Sequence, residues 1–291
     1  MAAPELSDGV LTLHPGSEEG GFAVVHQGSV VGEVRVRRTD AAEGELTWSL
    51  TAGQEGRGFA TRAVRLLVDH ALGDLGLTRV QARVETGNDR AVRVATRAGL
   101  QREGVLRVEP EDRPGPTGYV LLARLRSDPP IGDPRAFRTL LNSFLPRKRA
   151  IAQLLVRDAP GRVLLCRLTY KDDWDLPGGV VEVGESPRDA VVREIKEELD
   201  LDLDAGSLLL TDWLPPWSGW DDALCLVFDG GAHDATLLDA TSLQAREIRQ
   251  VAFCSSSQVR ERCADFTARR IEAALATLDG RGTPYTESGR A

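Results

Sequence analysis

The first third of the chain is dominated by stretches in which apolar and polar residues alternate with a period of two. Residues 9–14, residues 22–37 (FAVVHQGSVVGEVRVR, with a turn near Gln27-Gly28-Ser29) and residues 45–50 (ELTWSL) follow this pattern, which predicts β-strands. After Gln54-Glu55-Gly56-Arg57-Gly58-Phe59-Ala60 the period lengthens to that of a helix running to about Leu72. A strand at 79–85 leads to Asn88 and a second helix that ends at Ala98-Gly99-Leu100. Two more strands follow, near 102–108 and 118–125.

The pattern then breaks. Pro129, Pro130, Gly132 and Pro134 interrupt regular structure, and a short amphipathic helix is expected from Arg135 to Phe144. Residues 128–148 therefore read as a linker between a domain at 1–127 and a second at 149–280, with 281–291 as a tail. The second domain opens on a hairpin turned at Ala159-Pro160-Gly161. Strands are expected at 207–214, 222–229 and 247–253, and one helix over 257–278. Both halves thus mix helices and strands, an α/β (α+β) fold class with two domains.

Between the hairpin and the later strands lies GVVEVGESPRDAVVREIKEELDL, Gly179 to Leu201. Ser186-Pro187 is a helix start, with a hydroxyl N-cap and a ring that pre-sets the first helical φ. Asp189 suits the positive helix end. Val191, Ile195 and Leu199 recur at i, i+4 and i+8, so one stripe faces a core. Glu194, Glu197 and Glu198 fall on a neighbouring arc, where like charges repel. An acidic solvated face is the ordinary reading of such a run. Three carboxylates beside an apolar stripe, however, call for a cation, and hard oxygen ligands select Mg²⁺ or Mn²⁺ over zinc.

Five residues separate Gly179 from Glu185 and seven separate Glu185 from Arg193, with Glu194, Glu197 and Glu198 following at once. This resembles the Nudix box, G-x5-E-x7-R-E-U-x-E-E-x-G-U with U aliphatic. Trp174-Asp175-Leu176-Pro177-Gly178-Gly179 before it is also typical of Nudix proteins. One position departs: Asp200 stands where the family has glycine. A helix exit there calls for positive φ, which Asp tolerates less well than Gly. The resemblance implies an α/β/α sandwich that hydrolyses a nucleoside diphosphate linked to another group X. It implies Glu194 and Glu198 as main metal ligands with the backbone carbonyl of Gly179, and Glu197 ligating or orienting water. Arg193 would pair with a box carboxylate, and Glu185 would buttress the joint between loop and helix. Relatives place the general base variously in or beyond the box, and Glu247 is the candidate beyond it.

The first domain, read as strand, glycine loop, helix, strand, Asn and helix ending in AGL, resembles the GNAT acyltransferases. Their Q/R-x-x-G-x-G/A loop falls on Glu55-Gly56-Arg57-Gly58-Phe59-Ala60, whose backbone N–H groups at a helix N-terminus suit the pyrophosphate of acetyl-CoA. Gly56, Arg57, Gly58, Phe59, Ala60 and Asn88 are the cofactor-binding candidates. The resemblance is incomplete, because Glu55 replaces Arg or Gln and Ala91 stands where a Ser is common. Only Pro15 to Gly21 joins the first strands, where the family inserts two helices that wall the acceptor site. Glu45, at the start of the central strand, sits where some relatives carry a base. The expected arrangement is a Nudix hydrolase with an accessory, shortened GNAT-like domain. The alternative is an acyl-CoA-dependent N-acetyltransferase with a ligand-binding Nudix domain.

Composition narrows the partners. The chain has 291 residues, 42% hydrophobic and 27% charged, enough to bury real cores. A net charge of −8 argues against general nucleic-acid or anionic-membrane binding. No apolar run is long enough to span a membrane, and MAAPELSDG lacks a secretory leader pattern. The four cysteines are scattered without CxxC pairs, as for inert thiols in a cytoplasmic protein. The expected partner is a small nucleotide-like substrate, with a divalent metal in the second domain and acetyl-CoA as the ligand of the first. Substrate features stay open. Pro215-Pro216 after the box resembles the ADP-ribose pyrophosphatase subgroup or simply stiffens a loop. Trp213, Trp217 and Trp220 stack a base or pack the loop, and Asp221 and Asp222 solvate the loop or touch substrate. Arg147, Lys148 and Arg149 form either a phosphate contact or a solubilising cluster.

Overall fold

The computed structural model describes residues 4–108 and 118–291, so Met1–Ala3, where the stretch read for a leader begins, lie outside the described residues. The chain divides into two compact units, Met1–Pro146 and Arg147–Ala291.

The first unit is an eight-stranded sheet in the order β1-β2-β3-β4-β5-β6-β8-β7. Its strands are β1 (Leu6–Ser7), β2 (Thr12–Pro15), β3 (Gly21–His26), β4 (Ser29–Arg38), β5 (Glu43–Leu50), β6 (Arg79–Glu85), β7 (Gln101–Arg107) and β8 (Gly118–Leu125). Helix α1 (Phe59–Gly73) and helix α2 (Asp89–Arg97) share one core with Val34, Val36, Leu46, Val80, Ala82 and Leu122. The alternating residues point the other way, pairing Glu33 with Ser49, Arg35 with Thr47 and Arg37 with Glu45 across β4 and β5. That face is a charged ladder, which explains why the sequence alternates so regularly. Among the described residues of this unit only β5 and β6 run parallel, over Glu43–Glu45 and Arg79–Gln81 before they part. Helix α3 (Pro134–Phe144), read from the sequence as part of a linker, packs on β7, and Ser143 accepts the Arg102 N–H at 3.2 Å.

The second unit is built on β9 (Arg149–Asp158), β10 (Val163–Leu168), β11 (Trp174–Asp175), β12 (Gly178–Val180), β13 (Leu208–Leu214), β14 (Ala223–His233), β15 (Ile248–Cys254) and β16 (Tyr285–Glu287). The main order is β11-β10-β9-β14-β13-β16, with β12 beside β9 and β15 beside β10. Helix α4 (Pro187–Leu199) buries Val191, Ile195 and Leu199 against one face of the sheet. Helices α5 (Ser256–Arg262) and α6 (Asp265–Leu278) bury Val259, Ala268, Ile271 and Ala274 against the other. This is a sandwich of helix, sheet and helix.

Two expectations need correction, and one strand was not anticipated. The helix read over 257–278 is two helices, because Cys263 takes an extended conformation (φ −92°, ψ 155°) and bridges to Trp174. The segment 281–291 carries β16, which runs parallel to β13. Its cause is a buried charge: fully buried Asp212 accepts Thr286 Oγ1 and the Gly289 N–H, both at 2.8 Å, and Arg270 Nε at 2.9 Å. A buried carboxylate needs such donors, and the C-terminal segment supplies two of them. Strand β12 was not expected from so short and glycine-rich a stretch.

Candidate active site

The site grows from the junction of β12 and α4. Ser186 caps α4, accepting the Asp189 N–H at 3.2 Å, and Pro187 opens the helix as the sequence predicts. At the other end Asp200 has φ 56° and donates its N–H to the Lys196 carbonyl, with its carboxylate 2.8 Å from Lys196 Nζ. The exit turn therefore keeps the left-handed geometry despite losing the glycine.

Gly178 and Gly179 are required by shape. A β-carbon on Gly178, at φ 133°, would overlap the Ala152 carbonyl of β9, and one on Gly179 would overlap the Glu194 carboxylate. Glu194 thus lies directly against the backbone of β12. One turn on, Glu198 is 5% exposed and accepts the Gly178 N–H at 3.3 Å. Burial, with the charges of Glu194, Glu247 and Asp175 nearby, pushes its carboxyl up to about 8 against the Gly178 hydrogen bond. Burial also raises Glu194, opposed by its hydrogen bond from Arg193.

Arg193 ties this cluster together. It forms a fork to both oxygens of Glu185, at 2.9 and 3.0 Å, and its Nη1 donates to Glu194 and Glu197, each at 3.0 Å. Glu185 in turn accepts the Glu182 N–H at 3.2 Å, which fixes the loop before α4. Glu247 stands just ahead of β15, where its charge reaches both Glu194 and Glu198. The Gln244 N–H donates to the Glu198 carbonyl at 2.9 Å, so this loop is pinned to the end of α4.

The structure therefore brings Gly179, Glu194 and Arg193 together, with Glu198 on the adjoining Gly178 N–H. Among the described residues Glu247, by contrast, makes no hydrogen bond or ion pair with them and takes its side-chain hydrogen bond from Gln244 at 3.3 Å. It does not bring Glu197 fully in, since that side chain is 57% exposed and leans on Arg193. Among the described residues, no three acidic, His or Cys side chains form a ready metal cage. The arginine explains this, for it neutralises Glu194 and Glu197 from one side. The donors do fit a hard divalent cation, because two carboxylates crowd a glycine backbone at the cost of raised proton affinity, which a cation would relieve. Sequence reasoning missed Gly178 as the donor to Glu198, although the W-x-L-P-G-G run contained it.

In the first unit a groove of about 700 Å³ runs between the end of β5 and α2, lined by Trp48, Leu50, Gly56, Gly58, Asn88 and Arg93 among others. Gly58 caps α1 at φ 82° and Gly56 has φ 77°, and nothing would crowd a β-carbon on either. Arg57 lies over the Phe59 ring at 4.8 Å, Ala60 is buried in the first turn of α1, and Asn88 spends its side chain capping α2 through the Ala91 N–H at 3.1 Å. Glu55 folds back on the Gly53 N–H at 2.9 Å. Glu45 is flanked by Arg37 and by Arg83, the latter at 3.4 Å, and is not a free base.

Comparison with known proteins agrees with this division. A family model described as the acetyltransferase (GNAT) domain matches residues 5–101, and one described as the NUDIX domain matches residues 146–275. A MutT-like protein of Streptomyces ambofaciens is 30% identical over 142 residues, which cover 48% of this chain and 81% of that protein. The uncharacterized N-acetyltransferase p20 of Bacillus licheniformis is 32% identical over 80 residues, covering 27% of this chain but only 45% of that protein. The chain thus spans less than half the length of that acetyltransferase. The crystal structure of the MutT protein from Methanosarcina mazei Go1 overlaps with TM-score 0.40 and 22% identity, covering 46% of this chain and 98% of that one. By the two family models and the 30% identical Streptomyces relative, the chain belongs to the Nudix family, with a GNAT domain in its first unit.

Proposed function

We propose that the second unit is a divalent-metal-dependent hydrolase of the diphosphate in a nucleoside diphosphate linked to X. The observation that carries this reading is the packing of Glu194 onto Gly179 and of Glu198 onto the Gly178 N–H, so that carboxylates and a glycine backbone share one small space. Glu194, Glu198 and the Gly179 backbone would hold Mg²⁺ or Mn²⁺, which when bound neutralises the diphosphate and makes water acidic enough to attack phosphorus at pH 7. Arg193 holds the rotamers of Glu185, Glu194 and Glu197 through its fork and its Nη1. In this reading Glu197, exposed and paired with Arg193, would orient water at the rim of the site, and Glu247 would be the candidate proton acceptor beyond the helix.

In the first unit the open glycine loop and its groove support acetyl-CoA binding as an accessory role. Transfer to an acceptor lacks support, given the short Pro15–Gly21 connection and the flanked Glu45. The test is a Mg²⁺-dependent phosphate-release screen over ADP-ribose, nucleoside triphosphates, nucleotide sugars, NADH, diadenosine polyphosphates and CoA. Hydrolysis of at least one, abolished in Glu198→Gln, is expected. No turnover of any of them would remove the reading.

A further inference from the structure

The sheet face that meets α5 and α6 is not wholly apolar. Leu155 of β9 lies in the core beneath α6, and Gln153, two residues earlier on the same face, is 4% exposed. Asp175, Asp212, Thr286 and Arg270 are buried as well. An amide, two carboxylates and a guanidinium in place of packed aliphatics add little stability, because each gives up water for its partners. What these groups do is join end to end.

Asp212 takes Arg270 Nε on one oxygen and the C-terminal segment on the other. Arg270 Nη1 donates to Gln153 Oε1 at 3.1 Å, and the Cys225 thiol donates to the same oxygen at 3.1 Å. With two donors on its oxygen, the Gln153 amide turns its nitrogen the other way, donating to Asp175 Oδ1 at 2.9 Å and to the Leu176 carbonyl at 3.4 Å. Asp175 Oδ1 also accepts the Leu176 N–H at 2.9 Å, and Lys171 Nζ holds its other oxygen at 2.7 Å. Direct hydrogen bonds thus run from β16 to the residue two before Gly178.

That end point is the site described above. The peptide between Pro177 and Gly178 carries the N–H that Glu198 accepts. Gly178 has no side chain by which it could be held, so its N–H is aimed by its flanks. On one flank is β9, where the Leu154 N–H donates to the Pro177 carbonyl at 3.0 Å and Gln153 stands opposite Gly178. On the other is Leu176. Gln153 therefore acts twice, by backbone register and by side chain. Arg270 meanwhile keeps Nη2 buried with no partner among the described residues, a cost that an apolar side chain would avoid.

We propose that Arg270 and Gln153 are positioning residues of the candidate active site, reaching through Asp175 and Leu176 to aim the Gly178 N–H at Glu198. Asp212, with Thr286 and Gly289 behind it, anchors the far end, so the C-terminal segment tunes how tightly the carboxylates hold their cation. This rests on the hydrolase reading and adds to it a control point on the opposite face of the sheet.

The test follows the Gly178 amide by NMR in the metal-free full chain, and Mn²⁺ binding by titration. Arg270→Lys keeps a charge for Asp212 but cannot also reach Gln153. It should move the Gly178 resonance and weaken Mn²⁺ binding about tenfold or more. Arg270→Met with Asp212→Leu, which leaves neither charge buried alone, should do the same while keeping a Tm nearer to wild type than Asp212→Ala. Ile271→Val trims the core on the same helix, and should lower Tm while leaving both readouts unchanged. An unmoved Gly178 resonance with wild-type Mn²⁺ affinity in both Arg270 variants overturns the proposal. So does equal weakening by Ile271→Val, which would make lost stability the cause. If the wild type binds no Mn²⁺ at millimolar concentration, the hydrolase reading fails, and the Gly178 resonance still decides the positioning role.

Discussion

Glu198 is nearly buried, and among the described residues its carboxylate takes a hydrogen bond only from the Gly178 N–H, at 3.3 Å. A carboxyl in that position repels its neighbours unless a proton or a cation balances it, and replacing it with an amide removes the charge while keeping the acceptor. Glu198→Gln should therefore fold with an unchanged or higher Tm and lose at least about 100-fold in kcat, the scale of a group that acts at the reacting atoms. Thermal melts beside steady-state kinetics check both halves. Wild-type turnover in this variant would take Glu198 out of the reaction.

Gly179→Ala puts a methyl where the Glu194 carboxylate now lies. The side chain must swing away, so activity should fall roughly 10- to 100-fold, as for displacement of a supporting contact. The unit should still fold, because Glu194 lies at the edge of the core and has room to move. Circular dichroism together with the phosphate-release assay separates the two effects.

Arg193→Lys keeps a positive charge but cannot fork onto Glu185 while also reaching Glu194 and Glu197. We expect a loss of about 10- to 100-fold in kcat, since lysine replaces a planar donor set by a single point charge. A variant within twofold of wild type would mean the arginine only solvates the helix.

Mn²⁺ or Mg²⁺ should raise the Tm of the second unit in a concentration-dependent way, equivalent to about 2.7 kcal/mol at one hundred times the Kd. Chelator should reverse the shift, and Glu198→Gln should weaken it. Differential scanning fluorimetry across a metal titration reads this directly, and no shift at millimolar metal would speak against a site there.

Asp212→Ala leaves the Arg270 guanidinium, 2% exposed, without its carboxylate. Breaking one side of a buried pair costs about 3–5 kcal/mol, so urea unfolding should show a sharply lower midpoint. Arg270→Met together with Asp212→Leu should recover much of that loss, because neither charge then remains buried alone.

Much of this was legible from residue spacing. The stripe Val191, Ile195 and Leu199 fixed which face of α4 is buried, and the Ser186-Pro187 start and the left-handed Asp200 exit both stand where the local chemistry put them. Period-two alternation located most strands of the first unit, because one face meets α1 and α2 and the other meets water. What escaped were features made by distant partners. The break at Cys263 depends on Trp174, and β16 depends on Asp212, some seventy residues earlier. The short β12 is held by Ala152 and Glu194 rather than by any propensity of its own. Glu197 lay on the predicted arc, but Arg193 decides where it points.

The donors that satisfy Asp212 sit at Thr286 and Gly289, long after β13 has left the ribosome. Until they arrive, Asp212 has Arg270 but lacks the two donors of the C-terminal segment. A cleavage ahead of residue 285 would therefore remove the hydrogen bonds of a buried carboxylate along with an edge strand, and should lower stability by more than the loss of so short a segment suggests.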